Sequence, residues 1–425
     1  MPHIPDIPGT RCHSEQESWL KEHVARICQT DHRRFPGSQP VSFGRGDLAK
    51  LENQDFWVCE KSDGVRVLLL VHTDLASKSQ NVYLIDRHNA YRELEGLFFP
   101  HHENPQLPLQ NTLVDGELVF DVDPRTNTET LRFLAFDCLV VNNQNIMSRP
   151  LDKRYGRLKE WFYKPFAKMK QDHSHVTKTH PFDIRVKEIS LSYHAEQVFA
   201  EIPNLQHGND GLIYTCVNTP YIPATDPNIL KWKPPSENSI DFKLVLRFPP
   251  LKDKPTQPDF HAKPVFLLHV YCGNERGAPK YEQYDQLYVD DDEWEKMKLS
   301  GEQCDDRIIE VHWDPTSSHW RMMRFRDDKP HGNYRDVVEK IIQSIAGGVE
   351  KDTLLERSNA IRIAWKARLA QPQPSGNPIS APPPQRPPPS VVSLLAPPLE
   401  LRYGRLATSQ WSKVGGPPTV AGMKR

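Results

Sequence analysis

The chain has 425 residues, with 54 Lys and Arg against 55 Asp and Glu and 37% hydrophobic residues; at roughly 100–200 residues per domain, two or three domains with a sizeable core are expected. Near-neutral charge excludes a histone-like polycation, so nucleic-acid contact requires a local basic patch. No run of about 18 apolar residues occurs, and the start MPHIPDIPGTRCHSEQ lacks signal-peptide character, so a soluble intracellular protein with no membrane partner is expected.

Ser14 to Thr30 reads as a first helix, with Trp19, Leu20, Val24 and Ile27 at helical spacing and Ser14 with Glu17 as a capping box. A loop, RRFPGSQPVSF, follows. From Phe56 to about Phe248, strand-like segments dominate: WVCEK, VRVLLLV, VYLID, TLVDGELVF, RFLAFDCLVV, GLIYTCV, ILKWK and DFKLVLRF. Helix is expected over 152–167 and around Ala195. The fold class is therefore α+β with antiparallel sheets rather than a βαβ repeat. After PPLKDKPTQPD, four short strands (PVFLLHVYCG, YEQYDQLYV, RIIEVHWD, HWRMMRFR) suggest a small barrel. Helix returns over 335–369, with Val338, Ile341, Ile342 and Ile345 on one face, then Leu354, Ile361 and Trp365. Residues 371–425 hold 13 of the 39 prolines and carry about five net positive charges, so a disordered tail is expected. Seven cysteines without a CxxC pair indicate reduced thiols rather than disulfides or a zinc site.

The chemistry concentrates in a few charged positions. In EKSDGVRVLLLV, Lys61 ends a strand, Asp63-Gly64 suits a tight turn, and Arg66 returns on the next strand, as in a hairpin. A lysine nucleophile must be neutral, and with a pKa near ~10.4 only about one in 2,000–3,000 is neutral at pH 7. Nearby cations and burial lower that pKa, so such a lysine implies other positive groups around it. Arg66, Arg87, Lys231 and Lys233 are the candidates, the last two on one face of a strand with Trp232 on the other. Asp115-Gly116-Glu117 and Asp210-Gly211 repeat the DG pattern. Each reads alone as a hairpin turn; together they suit a site where cations grip phosphates and carboxylates hold a metal or ribose. Phe136 and Ile213 read as core, and Arg324, Arg326, Asp328 and Lys329 form a basic cluster after the last barrel strand.

The ordered series KSDGVR, IDRHNAYREL, DGELV, FLAFDCL, DGLIYT, LKWKP and RFRDDK resembles the covalent nucleotidyltransferases, and within them the α-subunit guanylyltransferases of fungal mRNA capping. The resemblance covers roughly residues 8–335. It implies a nucleotidyltransferase domain of ATP-grasp-like antiparallel sheets (1–243) and an OB-fold β-barrel (244–332), followed by a helical segment (333–369) and the Pro-rich tail (370–425). It implies that Lys61 carries GMP, that Asp63 lies in the nucleotide site, and that Arg66, Arg87 and Glu117 contact sugar and phosphates. Phe136 and Ile213 would sandwich guanine and Lys187 would contact it. Asp210, with Glu117, would serve a metal. Lys231 and Lys233 would hold the α-phosphate, Asp241 would orient its neighbours, and Arg324, Asp328 and Lys329 would engage pyrophosphate. GTP is the implied substrate, with Mg²⁺ or Mn²⁺, and a 5′-diphosphate RNA end the acceptor. No HCxxxxxR phosphatase signature occurs, so the implied partners include a separate RNA triphosphatase (β) subunit and the phosphorylated repeat tail of RNA polymerase II, in the nucleus. Gly332-Asn333 and Ala224-Thr225-Asp226 depart from the family's loop patterns. An ATP-dependent polynucleotide ligase and a non-catalytic scaffold for RNA or polymerase are the alternatives.

Overall fold

The computed structural model describes residues 4–74, 77, 79–173, 180–254 and 256–370, with two-residue strands at 407–408, 419–420 and 423–424. The expected disordered tail otherwise lies outside the described residues.

Residues up to Lys233 form one compact unit together with Lys351–Gln373, and Pro234–Glu350 belong to a second, which also takes in the short strand Ala407–Thr408. The first unit holds two sheets. The larger has the order Thr10–Arg11, Tyr91–Leu94, Gln80–Asp86, Val65–Thr73, Thr112–Val122, Glu129–Val141, Asp183–Val186, with Gln144–Asn145 beside Glu129–Val141. The smaller has the order Ser190–Leu191, Phe56–Ser62, Asn209–Cys216, Ala224–Trp232, Ser38–Ser42.

The unbroken apolar run VLLLV (67–71) is explained by burial on both faces. Alternate side chains leave opposite faces of a strand: Val67, Leu69 and Val71 pack with Tyr155, Leu158, Phe162 and Phe166, whereas Leu68 and Leu70 pack with Leu20, Val24 and Cys28. The first group of partners comes from a helical stretch over 151–172, α-helical at both ends and π-helical over Leu158–Tyr163. The second comes from the helix Ser14–Cys28. Burying one such side chain contributes about 1.5–3 kcal/mol.

Several local expectations change. Ser14 is the first helical residue and His13 the N-cap, without a side-chain capping bond, so no capping box forms. The expected loop after the helix contains the strand Ser38–Ser42 and leads to the helix Asp47–Asn53. Both sheets include a parallel pair, Glu129–Val141 with Asp183–Val186 and Ala224–Trp232 with Ser38–Ser42. The first is possible because the intervening helices supply the long connection that parallel strands need. The largest change concerns Asp63-Gly64, which joins no hairpin: Phe56–Ser62 lies in the smaller sheet and Val65–Thr73 in the larger. A Cβ on Gly64 would stand 2.2 Å from the Leu118 carbonyl oxygen, so only glycine lets the chain cross so close to the neighbouring strand. Asp115-Gly116 lies within the strand Thr112–Val122, and Asp210-Gly211 at an irregularity of the strand Asn209–Cys216.

In the second unit Ser239–Phe248, Val265–Glu275, Ala278–Leu287, His319–Phe325 and Ile308–Asp314 pair in that order, and the last pairs back with the first, closing a five-stranded barrel. Ala407–Thr408 adds to the end of Ser239–Phe248. The 243/244 boundary falls inside that first barrel strand, which is apolar and buried in the barrel core along Ile240, Phe242, Leu244, Leu246 and Phe248; the division instead comes at Lys233/Pro234. The 333–369 segment is likewise divided. Val338, Ile341, Ile342 and Ile345 of Arg335–Gly347 pack on the barrel core, while Leu354, Ile361 and Trp365 are buried in the first unit. No helix among the described residues is long and apolar enough to cross a membrane.

Candidate active site

The crossover at Asp63-Gly64 places Lys61 at the end of a smaller-sheet strand and Arg66 at the start of a larger-sheet strand. A cleft of about 240 Å³ lies between these sheets, lined by Lys61, Arg66, Glu117, Phe136, Lys187 and Ile213 among others. Six of the expected residues thus meet, although they come from five separate stretches of chain.

Lys61 Nζ donates to Asp210 Oδ1 at 2.6 Å, and Lys233 pairs with the other oxygen of the same carboxylate. Burial would raise the Asp210 carboxyl, but hydrogen bonds from Lys233 and Lys61 and their charges outweigh it and hold it below the ordinary carboxylate range. Lys231 belongs to the same cluster: burial, then the charges of Lys61 and Lys233, lower its ammonium pKa. A bulge carries Asp210 here. At Gly211 the backbone has φ +142, and a Cβ would sit 2.0 Å from the Trp232 carbonyl oxygen, so the turn of the strand that presents the carboxylate requires glycine.

Arg66 is held in a fork. Its Nε and Nη2 donate to the two oxygens of fully buried Asp115 at 3.0 and 2.6 Å, and its Nη1 to the Ser38 carbonyl. The Tyr221 hydroxyl donates to Asp115 at 2.5 Å and accepts from the Ser38 amide at 3.0 Å. Such a bidentate pair fixes a guanidinium plane, and Arg66 also lies over the Phe136 ring, 5.7 Å from its centroid. Glu117 is two residues further along the strand from Asp115, and burial pushes its carboxyl up to about 6 against the lowering charges of Lys187, Arg66 and Lys61. Lys187 donates to Ser62 Oγ at 2.7 Å and pairs with Glu60 at 3.0 Å.

Arg87 and Asp63 stand apart. Arg87 is exposed in the turn after Gln80–Asp86, its Nε 3.4 Å from His88, and is not among the cleft-lining residues. Asp63 lies on the crossover, its backbone amide bonded to the Gly208 carbonyl.

Asp241, Arg324, Asp328 and Lys329 belong to the second unit and gather there around two carboxylates. Buried Asp241 accepts from Arg326 at 3.2 Å and from Lys329, Arg324 donates to Glu310 at 2.7 Å, and Arg326 bridges onward to Asp328 at 2.9 and 2.8 Å. Asn333 closes the group, its side chain accepting from the Asp241 amide and its own amide donating to the Asp241 carbonyl, both at 2.7 Å.

Sequence reading missed Tyr221, Ser62, Glu60 and His207 as parts of the first unit's polar framework. Glu60 and Ser62 lie beside Lys61 in EKSDGVR but read as ordinary strand residues, and none of the four has a distinctive spacing.

A metal requires oxygen donors, which Glu117 and Asp210 supply. Among the described residues no cluster of three or more His, Cys, Asp or Glu side chains forms a ready-made metal cage. Two carboxylates fit Mg²⁺, which commonly takes one or two from protein and the remaining ligands from phosphate and water.

Comparison with known proteins agrees with this geometry. Residues 4–235 match the family described as mRNA capping enzyme, catalytic domain, and residues 237–355 match mRNA capping enzyme, C-terminal domain. The mRNA-capping enzyme subunit alpha of Neurospora crassa is 40% identical over 384 residues, covering 86% of this chain and 95% of that protein. The Saccharomyces cerevisiae protein of the same description is 34% identical over 403 residues, covering 86% and 88%. Among solved structures, a mycobacterial DNA ligase D complexed with ATP and MES matches at 15% identity and a TM-score of 0.35, over 69% of this chain and 95% of that one, a likeness that carries no weight for function. Two family matches spanning residues 4–355 and relatives aligned over nearly their whole length lead to one conclusion: the chain belongs to the mRNA capping enzyme family.

Proposed function

We propose that the protein is an mRNA guanylyltransferase that passes GMP from GTP, through a lysyl-GMP bond at Lys61, to the 5′-diphosphate end of RNA. The observation that carries this reading is Lys61 Nζ on Asp210, beside Lys231 and Lys233, at a cleft whose lining carries Arg66, Glu117 and Lys187.

In the first step Lys61 Nζ attacks the α-phosphorus, a P–N bond forms, the bond to the bridging oxygen breaks, and pyrophosphate leaves. The proton goes to Asp210, the carboxylate in contact with the amine. Two lysines keep Asp210 a weak base in the free enzyme; when Lys233 swings onto the phosphates it releases one of them, and Asp210 becomes a better acceptor. In the second step an oxygen of the terminal phosphate of 5′-diphosphate RNA attacks the same phosphorus, the P–N bond breaks, and the amine regains a proton. Arg66, held in its Asp115 fork, and Lys231 stabilise the charge that spreads over the phosphate oxygens, so catalysis is mainly positioning and charge stabilisation. Mg²⁺ or Mn²⁺, held by Glu117, would neutralise triphosphate charge while Asp210 takes the proton. Phe136 and Ile213, both lining the cleft, would flank the guanine. The barrel cluster of Asp241, Arg324, Asp328 and Lys329 would receive pyrophosphate.

The relatives are named subunit alpha, and an RNA triphosphatase subunit fits as the partner that supplies the diphosphate end. The phosphorylated tail of RNA polymerase II would bring the enzyme to nascent RNA, in the nucleus. Incubation with [α-³²P]GTP is expected to label the protein, with the label mapping to Lys61 and absent in K61A; labelling that persists in K61A overturns the reading.

A further inference from the structure

Behind the cleft floor, seven buried or half-buried side chains, acidic and basic in alternation, run through the first unit. Lys187 faces Glu60 at 3.0 Å, and Glu60 lies 3.7 Å from His207 Nε2. His207 Nδ1 meets Asp121 at 2.8 Å, and Asp121 accepts from Arg132 Nε at 2.5 Å. Arg132 reaches Asp183, which Lys170 also contacts at the half-exposed end. Ser62 braces the inner end, accepting from Lys187 at 2.7 Å, donating to Glu60 at 3.2 Å and lying 3.3 Å from His207 Nε2.

The placement of this chain matters more than its length. Glu60 and Ser62 lie on the smaller sheet, and Asp121 and Arg132 on the larger. His207 links Glu60 on one to Asp121 on the other, and its own backbone neighbourhood is tied to both: Gln206 accepts from the Val122 amide and Gly208 from the Asp63 amide, each at 2.8 Å. The cleft lies between these same sheets, so this link helps to fix Glu60, and with it where Lys187 presents its ammonium. Two of the three Lys187 donors are committed to Ser62 and Glu60, which leaves one for a ligand.

Resting on the guanylyltransferase reading, we infer that His207, with Glu60 and Asp121, forms a positioning clamp that aims Lys187 at the 6-keto oxygen of guanine and so determines base choice. None of the three touches the nucleotide; they act through Lys187. An ammonium fixed in this way donates to a 6-keto group and meets no acceptor where that group is missing. With Glu60 replaced, or with His207 no longer bracing Glu60, the ammonium loses one of its two fixed partners, and its selectivity falls even where nucleotide still binds.

The test compares label transfer to the full-length protein from GTP, ITP and 2-aminopurine riboside triphosphate, the last being GTP without its 6-keto oxygen. Wild type is expected to prefer GTP over the 2-aminopurine compound by about 10–100-fold, the range for a hydrogen bond to a charged group. In E60Q and H207Q that ratio should collapse to within about threefold, while the GTP to ITP ratio, which reports the 2-amino group, stays at its wild-type value. D121N repeats the test from the other sheet, and a melting curve for each variant identifies any that has not folded. Retention of the wild-type 6-keto ratio in folded variants, or absence of that preference in wild type, overturns the clamp. Failure of wild type to label Lys61 from any of the three overturns the guanylyltransferase reading instead, so the two failures are separable.

Discussion

Glu117 shows how one residue can trade stability for chemistry. Burial raises its carboxyl from the ordinary 4.5 to about 6. An acid whose pKa is higher in the folded than in the unfolded state stabilises the fold while protonated, and that contribution is lost as pH rises from about 4.5 through about 6. At pH 7 the ionised side chain therefore weakens the free protein, by about 2 kcal/mol for a shift of this size. E117Q is expected to raise the melting temperature at pH 7, with the gain vanishing as the pH is lowered to 4.5, and to reduce GMP transfer because the carboxylate charge offered to a metal ion is gone. Melting curves at both pH values, alongside the labelling assay, check the two halves independently. The positions of the charged residues in KSDGVR, DGELV and LKWKP were legible because the chemistry demands them in order. Tyr221, which holds Asp115, was not, since an isolated tyrosine in a loop gives no sign of which carboxylate it will reach 106 residues away.

At the scale of elements, strand identity was readable and strand pairing was not. Every segment from WVCEK to DFKLVLRF forms a strand, because β-branched and aromatic runs on a sheet are a local property. Asp-Gly pairs were misread as hairpin turns for the converse reason: pairing is set by residues far along the chain. In WVCEK-SDG-VRVLLLV the strand flanks and the turn residues suit a hairpin, yet each flank finds a better partner elsewhere, Phe56–Ser62 beside Asn209–Cys216 and Val65–Thr73 beside Thr112–Val122. At Gly211 the constraint is backbone geometry. G211A places a methyl group against the Trp232 carbonyl at a φ that alanine rarely adopts, and should cost about 3 kcal/mol or more, from the clash and the left-handed strain together. Urea titration measures this loss, and the adjoining displacement of Asp210 should lower labelling beyond what the folded fraction accounts for.

For the whole molecule, the apolar spacing of 335–369 was visible, but not that its two halves serve different cores. The first half completes the barrel and the second covers the unit that carries Lys61. Arg357 reaches Glu52, and Arg368 reaches Asp55 and the Glu52 carbonyl, so polar contacts add to the buried Leu354, Ile361 and Trp365. With about 1.5–3 kcal/mol for each buried large side chain, a protein ending at Glu350 is expected to melt well below one ending at Ala370, measured side by side by calorimetry; equal melting would show that these helices add nothing to the catalytic unit.

The chain leaves the catalytic unit at Lys233 and re-enters it over Lys351–Gln373, so that unit is assembled from sequence on both sides of Pro234–Glu350. A single proteolytic nick near Pro234 would cut the chain in two, but the downstream fragment would carry Leu354, Ile361 and Trp365 with it and stay clasped to the upstream one. Limited digestion of this enzyme should thus yield a nicked pair that travels as one particle.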